Sequence, residues 1–463
     1  LTAPGEEQIG QRNKGAVLTQ GPVGRTLLRL AWPMLMGIFG MVLFNLADTF
    51  FVSKLGTEPL AALSFTFPVV LIIASLALGL GTGASAVISL AIGEGDHHRV
   101  RRLTTDSLLL ALLVVVLFVA LGLLTIDPLF RLLGAAPDVL PLIRQYMTVW
   151  YFGMIFVVVP MVGNNAIRAT GDTRTPAVIM LVGAAMNFLL DPMLIFGIGP
   201  FPRLEIRGAA ISTVCSRATT MLVALYVLAL RDRMLTATPP RWSQLMASWK
   251  KVLYIGLPTA GTRMIVPLTN GIITGMLARY GTVPVAGYGV SSRIEFFSMG
   301  VLRALSVVLA PFVGQNLGAG KIDRVISGVR YSKRFSLIWG LALYLMLALL
   351  APVIASVFSK NPEVKAIVTL YLRVVPLSYG MWGILMLSAA SMNVLNRPLQ
   401  AAAIASAQVF VLYIPLAYLA SHFYGPTGVF AALGVSYIVA GLAGHLLLDL
   451  YLERRKASLA SAG

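Results

Sequence analysis

Twelve apolar runs, separated by short polar turns, dominate this chain, and each approaches or exceeds the twenty or so residues that a helix needs to cross a bilayer. They cover roughly residues 27–53, 60–91, 104–126, 139–167, 176–198, 208–230, 252–278, 284–315, 335–358, 365–394, 399–421 and 427–451. Apolar residues make up 57% of the sequence and charged ones 12%, about half the charged share of a soluble domain. The expected fold is an all-α polytopic membrane protein of twelve transmembrane helices.

Charge orients those helices. The net charge of +18 invites a nucleic-acid reading, but of 36 Lys and Arg, 23 fall on one set of alternate loops and 8 on the other. That asymmetry is the positive-inside rule, which needs no polyanionic partner. It predicts that both termini are cytoplasmic, in the inner membrane of a prokaryote, with a basic face that meets anionic lipid headgroups. Residues 1–25 are polar and lack the apolar core of a cleavable signal, so they read as a flexible lead-in. Cys215 is the only cysteine, which removes intrachain disulfides and cysteine metal clusters.

The chain also repeats itself. Shifted by 225 positions without gaps, Pro33 falls on Pro258, Gly56-Thr57 and Pro59 on Gly281-Thr282 and Pro284, and Tyr146 on Tyr371. Gly93, Gly95, Arg99 and Val100 fall on Gly318, Gly320, Arg324 and Val325. Coincidence at loop Gly, Pro and Arg is harder to obtain by chance than at Leu or Ala. Two homologous six-helix lobes follow, and six is even, so both keep one orientation about a pseudo-two-fold axis along the membrane normal. The expected divisions are a lead-in (1–25), a first lobe (26–232), a cytoplasmic linker (233–250), a second lobe (251–452) and a tail (453–463). The linker is expected to carry an interfacial helix around Trp242 and Trp249.

One acid stands out in this setting. Asp48 lies near the end of the first apolar run, where a carboxylate costs roughly 2.5–3.5 kcal/mol even on the lenient insertion scale, so it is a functional candidate by default. Helix rise puts it about 9 Å from the outer end of its segment. Asn187 and Asp191, four apart and hence on one helix face, reach about 10 Å in segment 5, and Thr213 about 8 Å in segment 6. Pro192 removes a backbone donor beside Asp191 and can bend that helix. Two carboxylates at one level in low dielectric cannot both stay ionised without a cation between them. Oxygen ligands of this kind suit a proton or a hard cation. The second lobe has Ile273 where the first has Asp48, so the chemistry is asymmetric.

The string Asp48-Thr-Phe-Phe-Val-Ser-Lys-Leu-Gly-Thr, with Asn187-Phe-Leu-Leu-Asp191-Pro and Gly208-Ala-Ala-Ile-Ser-Thr213, resembles the multidrug and toxic compound extrusion (MATE) family over nearly the whole chain. The placement of the acids in the first lobe resembles its DinF-like branch rather than the NorM-like one. The resemblance implies that Asp48, Asn187, Asp191 and Thr213 form a cation or proton site, which would be a metal site if sodium is the coupling ion. It implies that Asn164 and Met180 line the substrate cavity, for which Met41, Phe44 and Arg217 are further candidates. Arg217, four residues after Thr213, reads either as a competitor that pairs with an acid when the coupling ion leaves or as a snorkelling or structural charge. Phe44 stands where some relatives carry tyrosine, so a hydroxyl is lost from the network.

Other charges within apolar runs need partners. Arg263 and Glu295 both fall near mid-membrane, and an ion pair bracing the second lobe is expected between them. His445 and Asp449, four apart near the end of segment 12, read as an interfacial pair. The function expected is export of amphipathic, cationic organic compounds such as drugs or dyes in exchange for H+ or Na+, by a monomer in the bilayer. No cofactor, no enzymatic activity and no nucleic-acid partner are expected. The alternative is a flippase for a lipid-linked or phospholipid-like substrate, which would require a basic central cavity. A membrane-embedded transferase would need a surface metal pair or a His-based site, and neither motif is present.

Overall fold

The computed structural model describes residues 16–460. Its first lobe comprises α1 (Val23–Ser53), α2 (Thr57–Glu94), α3 (His97–Leu132), a broken span of α4 (Leu140–Gly153) and α5 (Ile155–Ala169), α6 (Arg174–Phe196) and α7 (Glu205–Tyr226). The second comprises α8 (Trp242–Ala278), a span of α9 (Thr282–Ser298) and α10 (Gly300–Gly318), α11 (Ile322–Phe358), and a span of α12 (Pro362–Val374) and α13 (Tyr379–Val394). α14 (Pro398–Ala407) continues through a π-helical turn into α15 (Ile414–Ala460), which Gly425 (φ 56°) divides into two crossings.

Nine of the described helical stretches are individually long and apolar enough to span a membrane, and the α4–α5 pair, bent by 42°, makes a tenth. The division at Gly425 adds an eleventh, and α8, with Pro258 and Pro267 inside it, completes twelve. The short helix expected within the linker is not separate: Trp242 opens α8, which runs unbroken into the membrane. The rest of the linker is tied to α3, with Arg101 Nε donating to the Arg233 carbonyl at 3.0 Å and Trp249 Nε1 to that of Asp106 at 2.8 Å.

The internal repeat is written into the packing. Gly56 (φ 122°) and Gly281 (φ 102°) precede α2 and α9, while Gly95 (φ 77°) and Gly320 (φ 69°) follow α2 and α10. These left-handed positions suit glycine and little else. Between the lobes, a Cβ on Gly93 would stand 2.2 Å from the Gln315 carbonyl, and one on Gly318 2.2 Å from the Leu90 carbonyl. Those two contacts exchange under the 225 shift. Gly314 meets Ser89, its own counterpart, so the pseudo-two-fold axis passes between them. Small residues here let two backbones touch, as packing in lipid favours.

Close approaches between the lobes at Gly79, Gly83, Gly93, Gly314 and Gly318 all lie on the basic-loop side of the middle of α2 and α10. Toward the opposite face, α1 and α8 expose Asn45, Asn270 and Thr274 at depths where lipid would reject them. That exposure, with the close contacts gathered on the basic side, suits a cleft between the lobes that opens away from the basic face.

Of the expected lead-in, residues 1–15 lie outside the described residues, as does the tail beyond 460. The described part of the lead-in is docked rather than free. Leu18 is buried, its N–H donates to Gln315 Oε1 at 3.0 Å, and its carbonyl accepts from Asn316 Nδ2 at 3.1 Å. Gln315 Nε2 also donates to the Ala169 carbonyl at 2.7 Å, tying α10 to α5. His445 and Asp449 pair at 3.2 Å, joined by Lys333 of α11 at 2.5 Å from Asp449.

Candidate functional site

Three helices of the first lobe converge near its outer end. α1 brings Asp48 within two turns of its terminus at Ser53, α6 brings Asn187 and Asp191, and α7 runs back with Ser212 and Thr213. Asn187, Asp191 and Ser212 are fully buried and Thr213 nearly so, while Asp48 is half-buried. α6 stays helical through Pro192 as far as Phe196, so the expected bend there is not a break.

Hydrogen bonds fix part of this cluster and leave the rest open. Asn187 Nδ2 donates to Asp191 Oδ1 at 3.2 Å and to Ser212 Oγ at 3.1 Å, and the Ser212 hydroxyl donates back to the Asn187 carbonyl at 3.4 Å. The amide is thereby held with its oxygen turned away from Asp191. In this cluster four buried oxygens have no hydrogen-bond partner among the described residues: Asp48 Oδ1, Asn187 Oδ1, Asp191 Oδ2 and Thr213 Oγ1. A buried unpartnered acceptor costs about 1–3 kcal/mol, and native structures hold few of them. Oxygen acceptors of this kind are the type of ligand that a proton or a hard cation takes. The four residues that the sequence points to are therefore the four that carry these oxygens.

Around the cluster, Asp48 has Asp191 and Arg217 as its electrostatic neighbours. The Arg217 guanidinium lies 4.4 Å above the Phe44 ring, and it forms no ion pair with either acid. Phe44 thus offers a cation–π surface in place of the hydroxyl lost there. Met180 packs against Gly37 of α1, Met41 is half-buried on the same helix, and Asn164 on α5 has its Oδ1 buried without a partner.

Two residues of the site escape the sequence reading. Ser212 orients Asn187, and Tyr146 of α4 is buried with both acids as its charged neighbours. A signal for Tyr146 was available, since the 225 shift pairs it with Tyr371. In the second lobe Tyr371 donates to Glu295 at 2.5 Å, so this tyrosine lies near an acid in both lobes and is hydrogen-bonded to it in the second.

The expected brace between Arg263 and Glu295 is absent from the ion pairs of the described residues. Glu295 is held by the hydroxyls of Tyr371 and, at 3.3 Å, Tyr379, and its cationic neighbour is Arg303. Hydrogen bonding runs on through Met299, whose N–H donates to the Glu295 carbonyl and whose carbonyl accepts from the Arg303 N–H, so Arg303, about two turns on, serves as the cation near Glu295 in place of Arg263. Arg263 instead stands by Arg303 and Arg168.

The MatE family model matches residues 33–193 and 258–419, two stretches related by the same shift as the internal repeat. A FAD transporter of Shewanella oneidensis is 42% identical over 443 residues, covering 96% of this chain and 98% of that protein. The crystal structure of the Vibrio cholerae MATE transporter VcmN in the bent form superposes with a TM-score of 0.88 at 31% identity, over 93% of this chain and 97% of that one. An outward-facing multidrug resistance MATE family transporter of the MOP superfamily superposes with a TM-score of 0.88 at 26% identity, over 97% and 100% of the two chains.

Proposed function

The chain belongs to the MATE family of transporters, and from that premise we propose that it exports amphipathic organic compounds, cationic ones among them, in exchange for H+ or Na+. The observation that carries the reading is the set of four unpartnered buried oxygens on Asp48, Asn187, Asp191 and Thr213. In the proposed cycle, the coupling ion occupies these oxygens from the open side of the cleft and neutralises the acids. α1 then bends, reshapes the first-lobe cavity and releases the substrate. Return of the ion on the basic side restores the charge and reopens the site to substrate. The basic face is the cytoplasmic one in this reading, so the cleft opens outward, in the inner membrane of a prokaryote. We also propose that the working unit is a monomer and that it belongs to the DinF-like branch, as its acids lie in the first lobe.

A second reading concerns the cargo. The relative at 42% identity is a FAD transporter, and Arg263 stands exposed on α8 without an ion-pair partner among the described residues. Both favour a phosphate-bearing anion beside, or in place of, a cationic drug.

The test is transport in proteoliposomes with a pH gradient and a sodium gradient imposed separately, using ethidium and FAD as cargoes. One gradient is expected to drive export of at least one cargo in the wild type, and Asp48→Asn is expected to abolish it. Export that runs unchanged in the variant would remove Asp48 from coupling. If neither gradient moves either cargo, the coupled-exporter reading fails and lipid flipping becomes the reading to test.

A further inference from the structure

The internal repeat gives the basic face two equivalent grooves, and the chain fills one of them itself. Residues 16–20 lie between the turn after α5 and the end of α10. The Leu18 side chain packs on Gly171, where an added Cβ would stand 3.0 Å from Leu18 Cδ2, and the Leu18 N–H donates to Gln315 Oε1. Cations grip the backbone oxygens of this segment. Lys321 Nζ donates to the Thr19 carbonyl at 3.1 Å, and Arg324 Nη2 to the Gln20 carbonyl at 2.6 Å.

Under the 225 shift Gly171 falls on Asn396 and Leu90 on Gln315. Gly171 (φ 90°) and Asn396 (φ 60°) even share the left-handed turn. Asn396 and Leu90 line the second groove, with the lobes exchanged, and among the described residues no segment of the chain fills it. Ser243, the counterpart of Leu18, sits exposed in the first turn of α8. What remains is a cavity of about 760 Å³, a size that suits a small-molecule site. It lies over a contact between the lobes, since a Cβ on Gly318 in its wall would stand 2.2 Å from the Leu90 carbonyl. Arg397, Arg454 and Arg455 line it, and none of the three has an ion-pair partner among the described residues. The Arg397 guanidinium lies 4.9 Å over the Tyr451 ring, which orients its fork. The acid in the lining, Glu94, is already paired with Arg99. Three cations in one cavity repel one another until an anion joins them, and a group with several charged oxygens answers all three.

We propose that this cavity is a phosphate-binding site on the basic face, in which Arg397, Arg454 and Arg455 take the phosphate oxygens while Tyr254, Leu317 and Leu395 receive the body that carries them. Guanidinium forks match phosphate oxygens two at a time, and basic pockets between membrane helices on the cytoplasmic side suit such groups. The ligand occupies the place that residues 16–20 take in the other groove, and in both grooves oxygens rest on cations. Because the cavity spans the contact that closes the basic face, bound ligand and closed face favour each other. The site is separate from the first-lobe oxygens, and it stands whether or not the export reading does.

The experiment is the rate at which N-ethylmaleimide alkylates a single cysteine in the cavity wall, Leu395→Cys in a Cys215→Ala background. It uses the purified full chain in phosphatidylcholine nanodiscs. The probes are inorganic pyrophosphate and dihexanoyl phosphatidylglycerol, with dihexanoyl phosphatidylcholine as the zwitterionic control. At least one probe is expected to slow alkylation threefold or more, with the protection falling as salt rises. Leu317→Cys, on another part of the wall, is a second reporter and should be protected alike. Arg397→Gln combined with Arg455→Gln should raise the half-protecting concentration at least tenfold, while Arg241→Gln, on the same face but outside the cavity, should leave it unchanged. Protection by phosphatidylglycerol alone would assign the site to a lipid phosphate, and protection by pyrophosphate to a soluble one; both uphold the site. Absence of protection at both cysteines, equal protection by the phosphatidylcholine control, or protection undiminished in the double arginine variant would overturn it.

Discussion

Thr213 and Ser212 are adjacent on α7 and do different work. Thr213 contributes an unpartnered oxygen, whereas Ser212 spends its hydroxyl holding Asn187 in place. Thr213→Ala should therefore weaken the apparent affinity for the coupling ion by about tenfold, the worth of one lost ligand near 1.4 kcal/mol, and Thr213→Ser should restore it. Ser212→Ala should cost less, about fivefold, because Asn187 keeps its bond to Asp191. Transport rate against ion concentration reads both; equal loss in Thr213→Ser and Thr213→Ala would deny the hydroxyl a role. Much of this cluster was legible in the sequence, because a carboxylate in an apolar run is costly and helix rise puts such groups at one depth. Ser212 was not, since a serine in a membrane helix usually satisfies itself on its own backbone.

At the scale of helices, closure of the basic face rests on backbone contacts that a single methyl group would disturb. Gly93→Ala would drive its Cβ to 2.2 Å from the Gln315 carbonyl, and Gln315 also anchors Leu18 and Ala169. The expected result is a shift toward states parted on the basic face. Spin labels at His98→Cys and Asp323→Cys, exposed positions related by the repeat, in a Cys215→Ala background, should give a longer distance distribution in Gly93→Ala than without it. An unchanged distribution would mean that the contact is not part of the closing surface. The glycines that make these contacts were visible as repeat landmarks. Their partners were not, because a one-dimensional shift says which positions correspond and not which ones touch. The continuity of α8 through the expected linker helix was also missed: Trp242 and Trp249 mark an interface, but nothing between Ser248 and Tyr254 stops a helix.

Over the whole molecule, symmetry and asymmetry divide the labour. The pseudo-two-fold axis between Ser89 and Gly314 gives two lobes that can rock against each other, as alternating access in repeat-built transporters requires. The four unpartnered oxygens proposed to hold the coupling ion lie in the first lobe, while Glu295, bonded by two tyrosines, lies in the second. The architecture was legible from hydropathy and the repeat because both are periodic along the chain. The Arg263–Glu295 pairing failed because depth estimated from rise says which side chains share a level and not which of them face each other. Coupling between cargo and ion must be reciprocal: each changes the other's affinity by the same factor. The most direct measurement is therefore the proton or sodium release that follows cargo addition to the purified protein, followed with a pH indicator in weakly buffered solution and with a sodium-selective electrode. The account predicts release of one of these ions on saturation with a transported cargo, and none from the Asp48→Asn, Asp191→Asn double variant at equal cargo occupancy. Release of the same size from the double variant would place the coupling ion elsewhere and contradict the first-lobe site.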